Sequence, residues 1–363
     1  MQFNFSLCTD QYWQRKCNQL STPQLMELEA KANRILTERE LSVTFKTVPA
    51  LSGNLHDYVS LSKYDWPNPN TANGLPWIKR DGMTNPDFDK YDIVPLFQLC
   101  NNVGTLTAAT RLLKKTAYAE KAGKFLKCWF LDPATAMTPH LNYAQFLPGN
   151  QTGSSWGLID SHCFCALLEA VSALPLNNEW TADDLQKLKY WFMEYFLWFI
   201  SNPLPIQEER TPTNHGTWYD AQYISIAMLL NRPDLARRQI REKSIPRLDV
   251  QLLYNGLQPY EITRTLSLSY SVFNLEAWSR IAAYAKVLGI DLWNQRSCSV
   301  DKGCLREAFQ CLIPFLTGQR KWDFLQIGPL PRPGRLFATV HDFLEPVENF
   351  SPGLELFCIS PER

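Results

Sequence analysis

Apolar residues recur at three- and four-residue spacing along most of this chain, the pattern of helices with one buried face. In "STPQLMELEAKANRIL", Thr22 is placed to cap a helix and Pro23 to occupy its first position. The runs "DIVPLFQLCNNVGTLTAATRLL" and "AYAEKAGKFLKCWFLDP" predict two consecutive helices, and Asp132 followed by Pro133 stops the second. The amino-terminal part is therefore predicted to be helical.

The rest of the chain continues this alternation of helices and short connectors. Thr181 and Asp184 have the spacing of a capping box, and the helix that they begin ends at Pro203. Further helices are predicted in "WGLIDSHCFCALLEAVSAL", "TWYDAQYISIAMLLN", "RPDLARRQIREKSI", "SYSVFNLEAWSRIAAYAKVLG" and "LREAFQCLIPFLTG". About ten helices and few strands predict an all-α fold of antiparallel helix hairpins. No repeat of fixed length is visible, which favours a closed (α/α) toroid over an open array.

Two segments depart from the helical pattern. Residues 45–90 are polar, aromatic and rich in Pro, Asn and Gly, which predicts a long loop that forms a lid or a cleft wall. The end of the chain, 319–363, carries "GPLPRPGR" and "EPVENFSPG" and predicts an irregular extension that packs on the body. We therefore predict one catalytic domain over 1–318, followed by this extension.

Charge and motif content exclude several functional classes. The chain has 36 basic and 36 acidic residues among 363, so it lacks the general positive charge of proteins that bind nucleic acid or anionic membranes. Neither a membrane span nor a signal peptide is visible, which predicts a cytoplasmic protein. The spacing of Cys and His residues matches no metal motif, and we predict neither a metal site nor a cofactor.

Three kinds of hydrolytic chemistry find little support in the motifs. A glycoside hydrolase needs two carboxylates that flank one bond, and the candidates are Asp57, Asp65, Asp81, Asp160 and Asp220, of which no pair is singled out. Neither a metalloenzyme motif nor GxSxG is present. A helical glycoside hydrolase that uses Asp57 or Asp220 stays open as an alternative, as does a non-catalytic carbohydrate-binding protein.

β-Elimination on a uronic acid makes different demands. The proton on C5 is weakly acidic, so the enzyme must neutralise the neighbouring carboxylate with Asn, His or Arg and supply an acid and a base. "TNHGTWYDAQ" places Asn214 beside His215, and "ITRTLSLSYSVFNLEAW" contains Arg264 and Tyr270. A separation of six residues puts Arg264 and Tyr270 on different faces of a regular helix, so joint action requires a loop or an irregular turn. On spacing alone, an Arg264 paired with Glu261 at the surface and a Tyr270 in the core is the simpler interpretation.

Five stretches, taken together, resemble one family. They are "SGNLHDYVSLSKYDWPNP", "GLPWIKRDGMTNPDF", "WFLDPATAMTPHLNYAQFLPG", "TNHGTWYDAQ" and "RTLSLSYSVFNLEAW". Over about residues 40–295 the chain resembles the alginate lyase domain superfamily, most closely the alginate and glucuronan lyases of polysaccharide lyase family 38 and more distantly family 5. The resemblance implies an (α/α) toroid, or incomplete barrel, of six to seven helix pairs. Members of this family are usually exported, unlike the cytoplasmic location predicted above.

The resemblance also implies an activity and a site. The expected reaction is metal-independent β-elimination on a β-1,4-linked uronan, such as polymannuronate in alginate or glucuronan, which leaves 4,5-unsaturated uronate ends. Tyr270 would be the acid and possibly the base, His215 and Asn214 would act at C5 and its carboxylate, and Arg264 would support them. The expected partner is an acidic polysaccharide bound by a monomer, and the candidate substrate-binding residues are His56, Tyr58, Trp66, Arg80, Asn142, Tyr143, Gln145, Trp218 and Tyr219.

Overall fold

The computed structural model describes residues 6–296, 303–348, 350, 353 and 354, and within them the fold is mostly helical. The α-helices are α1 Asp10–Gln19, α2 Thr22–Leu36, α3 Ile93–Leu113, α4 Thr116–Phe130, α5 Phe164–Ala173, α6 Ala182–Ser201, α7 Pro203–Glu209, α8 Asn214–Leu229, α9 Pro233–Gln239, α10 Ile245–Gln251, α11 Ser267–Val287, α12 Leu305–Leu316 and α13 Gly334–Thr339. The strands are β1 Val59–Leu61, β2 Asp65–Trp66, β3 Ile78–Lys79 and β4 Tyr143–Phe146. The predicted all-α class is confirmed.

The chain forms two compact units, Met1–Ile206 with Pro352–Arg363 and Gln207–Ser351. The division falls within α7, at a place that the sequence did not indicate. Within the predicted irregular extension, residues 334–344 are helical, as α13 and a π-helical turn Val340–Leu344.

The first unit is built around α3. This helix is buried on nearly all sides, which is typical of a central helix that packs against several others. It contacts α1, α2, α4 and α5. Only two residues separate α3 from α4, so the pair forms an antiparallel hairpin, and Lys114 ends α3 in the left-handed conformation at φ 60°.

The N-cap of one helix in the first unit was predicted correctly and that of another was not. Thr181 and Asp184 form the predicted capping box of α6, with each backbone N–H donating to the other side chain at 3.0 and 3.2 Å. At α2 the prediction was wrong by one residue, because Ser21 is the N-cap and its N–H donates to the Gln24 side chain at 2.9 Å. Both helices thus use the reciprocal bonding that satisfies the free N–H groups of a first turn.

The predicted long loop in the first unit carries short regular elements. β2 and β3 pair antiparallel, and β1 pairs parallel with β4. A turn of 3-10 helix, Pro86–Lys90, leads to α3. The strand β4 includes Tyr143 and Gln145, so pairing with β1 fixes the backbone of these two candidate residues.

The second unit is built around α11, which is buried along almost its whole length. It contacts α8, α12 and α13. Helix α8 is likewise buried on all sides. The candidate catalytic residues lie at the amino-terminal ends of these two helices or just before them, where backbone N–H groups are free of helical partners.

Candidate active site

Helix α8 begins at Asn214, three residues before the run from which it was predicted. Thr213 precedes it in the extended conformation, at φ −97° and ψ −178°. Asn214 and His215 therefore both lie in the first turn, where the helix dipole favours negative charge. The preceding helix α7 ends at Glu209, so four residues join it to α8.

A buried glutamate from another part of the unit holds Asn214. One carboxylate oxygen of Glu261 accepts from the Asn214 backbone N–H at 2.7 Å and the other accepts from Nδ2 at 2.8 Å. Both residues are 1 % exposed. Burial raises the pKa of Glu261, while the hydrogen bonds from Asn214 and the positive charge of Arg264 oppose that rise. Glu261, which on spacing alone was a surface partner for Arg264, is instead a buried carboxylate that holds Asn214.

This arrangement leaves one atom of Asn214 unused. Its Oδ1 is buried and has no hydrogen-bond partner among the described residues. A buried acceptor without a partner costs about 1–3 kcal/mol, so such atoms are rare and often mark binding sites.

His215 is held by a second buried glutamate. Its Nδ1 contacts Oε1 of Glu208, and the side chains of His215 and Glu208 are 23 % and 2 % exposed. With Nδ1 engaged by a carboxylate, Nε2 is the nitrogen that stays available. Glu208 was not among the sequence candidates.

Arg264 and Tyr270 are in direct contact. Arg264 lies in the turn before α11 and Tyr270 in its first turn, and the guanidinium carbon is 3.9 Å from the centroid of the tyrosine ring. The irregular geometry that joint action requires is therefore present, and Arg264 makes a cation–π contact. The half-buried Tyr270 has a buried hydroxyl oxygen.

A segment near the end of the chain supports the start of α11. Oε1 of Gln326 accepts from the backbone N–H groups of Leu268 and Ser269 at 3.1 and 3.4 Å. Trp322 donates from Nε1 to Ser267 Oγ at 2.7 Å. These contacts satisfy free N–H groups of the first turn, so this segment fixes the helix end that carries Tyr270.

Gln251 links the segment before α8 to the middle of α11. Its Nε2 donates to the carbonyls of Pro212 and Thr213 at 3.1 and 2.9 Å, just before α8. Its Oε1 accepts from Asn274 at 3.1 Å and from Trp278 at 2.8 Å, both on α11. The sequence contained no signal for this residue, because an isolated glutamine in a helix gives no indication of its partners.

Asp220, a candidate for hydrolytic chemistry, is occupied by an ion pair. It has no exposed surface and accepts from Arg247 Nε at 3.0 Å, from Gln239 at 2.9 Å and from Ser244 at 3.0 Å. Burial raises its pKa, while Arg247 and the other donors oppose that rise. Arg247 also donates to the carbonyl of Thr211 at 2.7 Å. Asp220 therefore acts in the packing of the turn before α8.

Trp218 and Tyr219, both predicted to contact substrate, are 2 % and 3 % exposed. The Trp218 ring packs against Phe273 at 5.0 Å between centroids. Burial raises the pKa of Tyr219. In this conformation the two side chains belong to the core of the second unit, and a role as substrate contacts stays untested.

In the first unit, three of the predicted binding residues contact other residues of that unit. His56 is half-buried and its Nδ1 lies 2.7 Å from the carbonyl oxygen of Ala136. Asn142 Oδ1 accepts from Trp198 Nε1 at 2.8 Å. Tyr143 is half-buried beside His140, with 6.3 Å between ring centroids.

Trp66 and Arg80 come together on the β2–β3 hairpin of the first unit. The guanidinium carbon of Arg80 is 5.1 Å from the Trp66 ring centroid, and Trp66 Nε1 donates to the Met83 carbonyl at 3.0 Å. Both side chains are partly exposed. The pair offers a cation and an aromatic face to an acidic sugar, and its role in binding stays a prediction.

Tyr58 and Gln145, also predicted as binding residues, are buried around Asp160. Tyr58 has no exposed surface and its hydroxyl donates to Asp160 at 3.0 Å. Gln145 donates from Nε2 to Asp160 at 2.8 Å and has the unusual φ of 44°. Ser60 is the third donor. The aromatic and amide side chains expected at a surface therefore form a buried polar network in the first unit.

Asp160 is expected to make the stability of the protein depend on pH. Burial raises its pKa from 3.8 to about 6, against the opposing effect of its three hydrogen-bond donors. The folded state therefore holds this proton more tightly than the unfolded state, so the stabilisation present below the unfolded pKa is lost as the pH rises through about 6. Between pH 3.8 and about 6 the unfolding free energy of the wild type should fall by up to about 3 kcal/mol through this group. We expect this fall to be absent in Asp160→Asn.

Urea denaturation of the wild type and of Asp160→Asn at a series of pH values measures this effect. Asp183→Asn, at an exposed residue, is the control. An unchanged pH dependence in Asp160→Asn contradicts the prediction.

The described residues contain no group of three or more His, Cys, Asp or Glu side chains that is placed to hold a metal ion. None of their helices combines the length and the apolar character that crossing a bilayer requires.

Comparison with known proteins assigns the chain to a family. The family model for alginate lyase matches residues 42–322. The structure is similar to that of an alginate lyase from Bacteroides ovatus, at 30 % identity and a TM-score of 0.88 over 99 % of both chains. A comparison with the curated proteins found no match.

More distant similarities extend to alginate lyase A1-III from Sphingomonas species A1. It is 13 % identical, with a TM-score of 0.54 over 92 % of this chain and 95 % of that one. A variant of A1-III complexed with a tetrasaccharide gives a TM-score of 0.51 at 12 % identity, over 93 % and 95 % of the two chains. At such identities the likeness concerns the fold. The family model and the Bacteroides ovatus structure carry the assignment: this chain belongs to the alginate lyase family and is a polysaccharide lyase.

Proposed function

We propose that this lyase cleaves β-1,4-linked uronans, with alginate as the first candidate and glucuronan as the second, by metal-independent β-elimination. Its product would carry a 4,5-unsaturated uronate at the new non-reducing end. The observation that carries the proposal is the pair of neighbouring residues Asn214 and His215 in the first turn of α8, each held by a buried glutamate. Arg264 lies on the ring of Tyr270 at the start of α11 in the same unit. The relatives named above as alginate lyases, one of them bound to a tetrasaccharide, support the choice of substrate.

The chemistry begins at the substrate carboxylate. Removal of the C5 proton moves negative charge onto this group, and donors that are already in place stabilise it without reorganisation. Asn214 is fixed by Glu261 through one hydrogen of Nδ2, and the second hydrogen of the same nitrogen can bind the substrate. The start of α8 adds the positive end of its dipole.

Tyr270 is the proposed acid for the leaving O4. The positive charge of Arg264 on the ring face favours the phenolate, so the hydroxyl gives up its proton more readily. The buried hydroxyl is also shielded from water, which strengthens electrostatic interactions there. The bond from C4 to O4 breaks as the double bond between C4 and C5 forms.

The stereochemistry of the sugar decides which group is the base. In β-linked mannuronate and glucuronate, H5 and O4 lie on the same face, so Tyr270, starting as the phenolate, can take the proton from C5 and return it to O4. In guluronate they lie on opposite faces, and His215 is the proposed base with Tyr270 as the acid.

One assay tests the reaction class. The protein is incubated with polymannuronate, polyguluronate and glucuronan, and the ultraviolet absorbance of the unsaturated product is followed with and without EDTA. We expect absorbance to rise in both conditions. New reducing ends without absorbance would indicate hydrolysis, and loss of activity with EDTA would contradict metal independence.

His215→Ala is expected to affect the cleavage of polyguluronate more than that of polymannuronate. It should lower the kcat on polyguluronate by about 10²-fold or more, because general base catalysis contributes that much, and lower the kcat on polymannuronate less. His341→Ala is the control, since His341 contacts none of the candidate catalytic residues; it accepts a hydrogen bond from the Val347 N–H at 3.2 Å and packs on the Phe350 ring. Equal retention of both activities in His215→Ala would show that His215 is not the base.

A further inference from the structure

Glu208 is a buried carboxylate that the reaction proposed above does not use. Its side chain is 2 % exposed, and its contact is with Nδ1 of His215. Burial of a charged carboxylate is costly unless a partner compensates it, and among the described residues His215 is the partner. The contact with His215 therefore explains why a carboxylate is buried at this position.

The backbone around Glu208 is firmly held. Its carbonyl accepts from the N–H and the Oγ1 of Thr211 at 3.1 and 2.9 Å, which closes the turn after α7. Arg247 donates to the carbonyls of Glu209 and Thr211, each at 2.7 Å. The carboxylate thus meets the imidazole from a fixed position, since the chain on both sides of the turn is tied to the same guanidinium.

The contact selects one form of the imidazole. A carboxylate accepts only, so a neutral His215 carries its proton on Nδ1 and has its lone pair on Nε2. Within the described part of the chain Nε2 has no hydrogen-bond partner, and the side chain is 23 % exposed. A lone pair that is both available and accessible is what a general base needs.

We propose that Glu208 is a positioning residue that holds His215 in the Nδ1–H tautomer, so that Nε2 accepts the C5 proton of guluronate. This inference rests on the proposed function. The proton passes from C5 to Nε2, the C4–O4 bond breaks as the C4–C5 double bond forms, and Tyr270 gives its proton to O4. The Glu208 carboxylate stabilises the imidazolium that results, and exchange with water then restores both residues.

Glu208→Gln tests the proposal, because it keeps an oxygen that can accept from Nδ1 but removes the charge. We expect the kcat/KM for polyguluronate to fall by about 10²-fold and that for polymannuronate to fall much less. Glu209→Gln is the matched control, since Glu209 is the next residue along and pairs with Lys243 at 3.0 Å. Glu208→Asp is a second variant, which keeps the charge but has a shorter side chain. It is also expected to lower the kcat/KM for polyguluronate.

A spectroscopic measurement tests the tautomer without activity. In protein labelled with 15N-histidine, the His215 signals, assigned through His215→Ala, should show a protonated Nδ1 and a free Nε2. In Glu208→Gln this pattern should shift toward a mixture of tautomers. A purely structural glutamate would leave the pattern unchanged and lower both activities equally, and that result would overturn the proposal.

The two proposals fail in different ways. A wild-type protein that produces no unsaturated product from any uronan refutes the proposed function, while the 15N signals still decide whether Glu208 sets the tautomer. A wild type that cleaves polymannuronate but not polyguluronate overturns the role of Glu208 in guluronate cleavage.

Discussion

Tyr270→Phe is expected to lower turnover on every uronan that the wild type cleaves by about 10³-fold or more. The substitution removes only the hydroxyl that would protonate O4, and proton transfer by a positioned side chain contributes about 10²- to 10⁴-fold. On mannuronate the same oxygen, as the phenolate, is also the proposed base, so the loss should be largest there. Initial rates of absorbance increase measure the effect.

The same substitution should preserve folding and binding. The phenylalanine ring keeps the face on which Arg264 lies at 3.9 Å, so the start of α11 keeps its packing. Calorimetric titration with an acidic tetrasaccharide should show affinity close to that of the wild type. Tyr254→Phe is the control, because Tyr254 is 69 % exposed in the same unit. Turnover near the wild-type level in Tyr270→Phe would remove this residue from the acid role.

The helices could be predicted from the sequence because the residues that begin and end a helix lie next to it in the chain. Asp132 and Pro133 mark the end of one predicted helix, and α4 ends at Phe130. The capping box of Thr181 and Asp184 needs no information from outside its own turn. Local rules of this kind do not depend on how the chain packs, which is why they were reliable here.

The hydrogen-bond partners of the candidate residues could not be predicted from the sequence. Asn214 is held by Glu261, which lies 47 residues away in the sequence, and Gln326 supports the start of α11 from 58 residues beyond Leu268. Such pairs are set by the packing of whole elements, and a single sequence contains no record of them. Chemistry identified Asn214 and His215 as a pair, but only the structure identified Glu261 as the partner of Asn214 and Glu208 as the partner of His215.

Residue type also failed to predict which of the candidate side chains are buried. An aromatic residue in a polar loop indicates a binding surface, yet Tyr58 has no exposed area. The reason is Asp160, whose carboxylate gives the Tyr58 hydroxyl a partner in the interior. A polar aromatic side chain is compatible with either place, and the decisive partner is again distant in sequence.

Gly216→Ala is expected to destabilise the protein by about 3 kcal/mol and to lower activity with it. A Cβ at this position would lie 2.1 Å from Nη1 of Arg247 and 2.3 Å from the carbonyl oxygen of Thr211. Arg247 cannot move aside freely, because Asp220 binds it at 3.0 Å, and the Thr211 oxygen belongs to the backbone. Overpacking at a site that cannot relax costs this much.

Activity should fall because the clash acts on the turn that places the catalytic groups. Gly216 follows His215 directly, and displacement of Thr211 moves the segment that joins Glu208 to α8. Denaturant unfolding and initial rates measure the two effects. Gly289→Ala is the control, since Gly289 has φ 78° and open space at its Cβ, so that only backbone strain of about 1 kcal/mol applies. If Gly216→Ala cost no more than this control, the close approach of Arg247 would not be what requires a glycine beside His215.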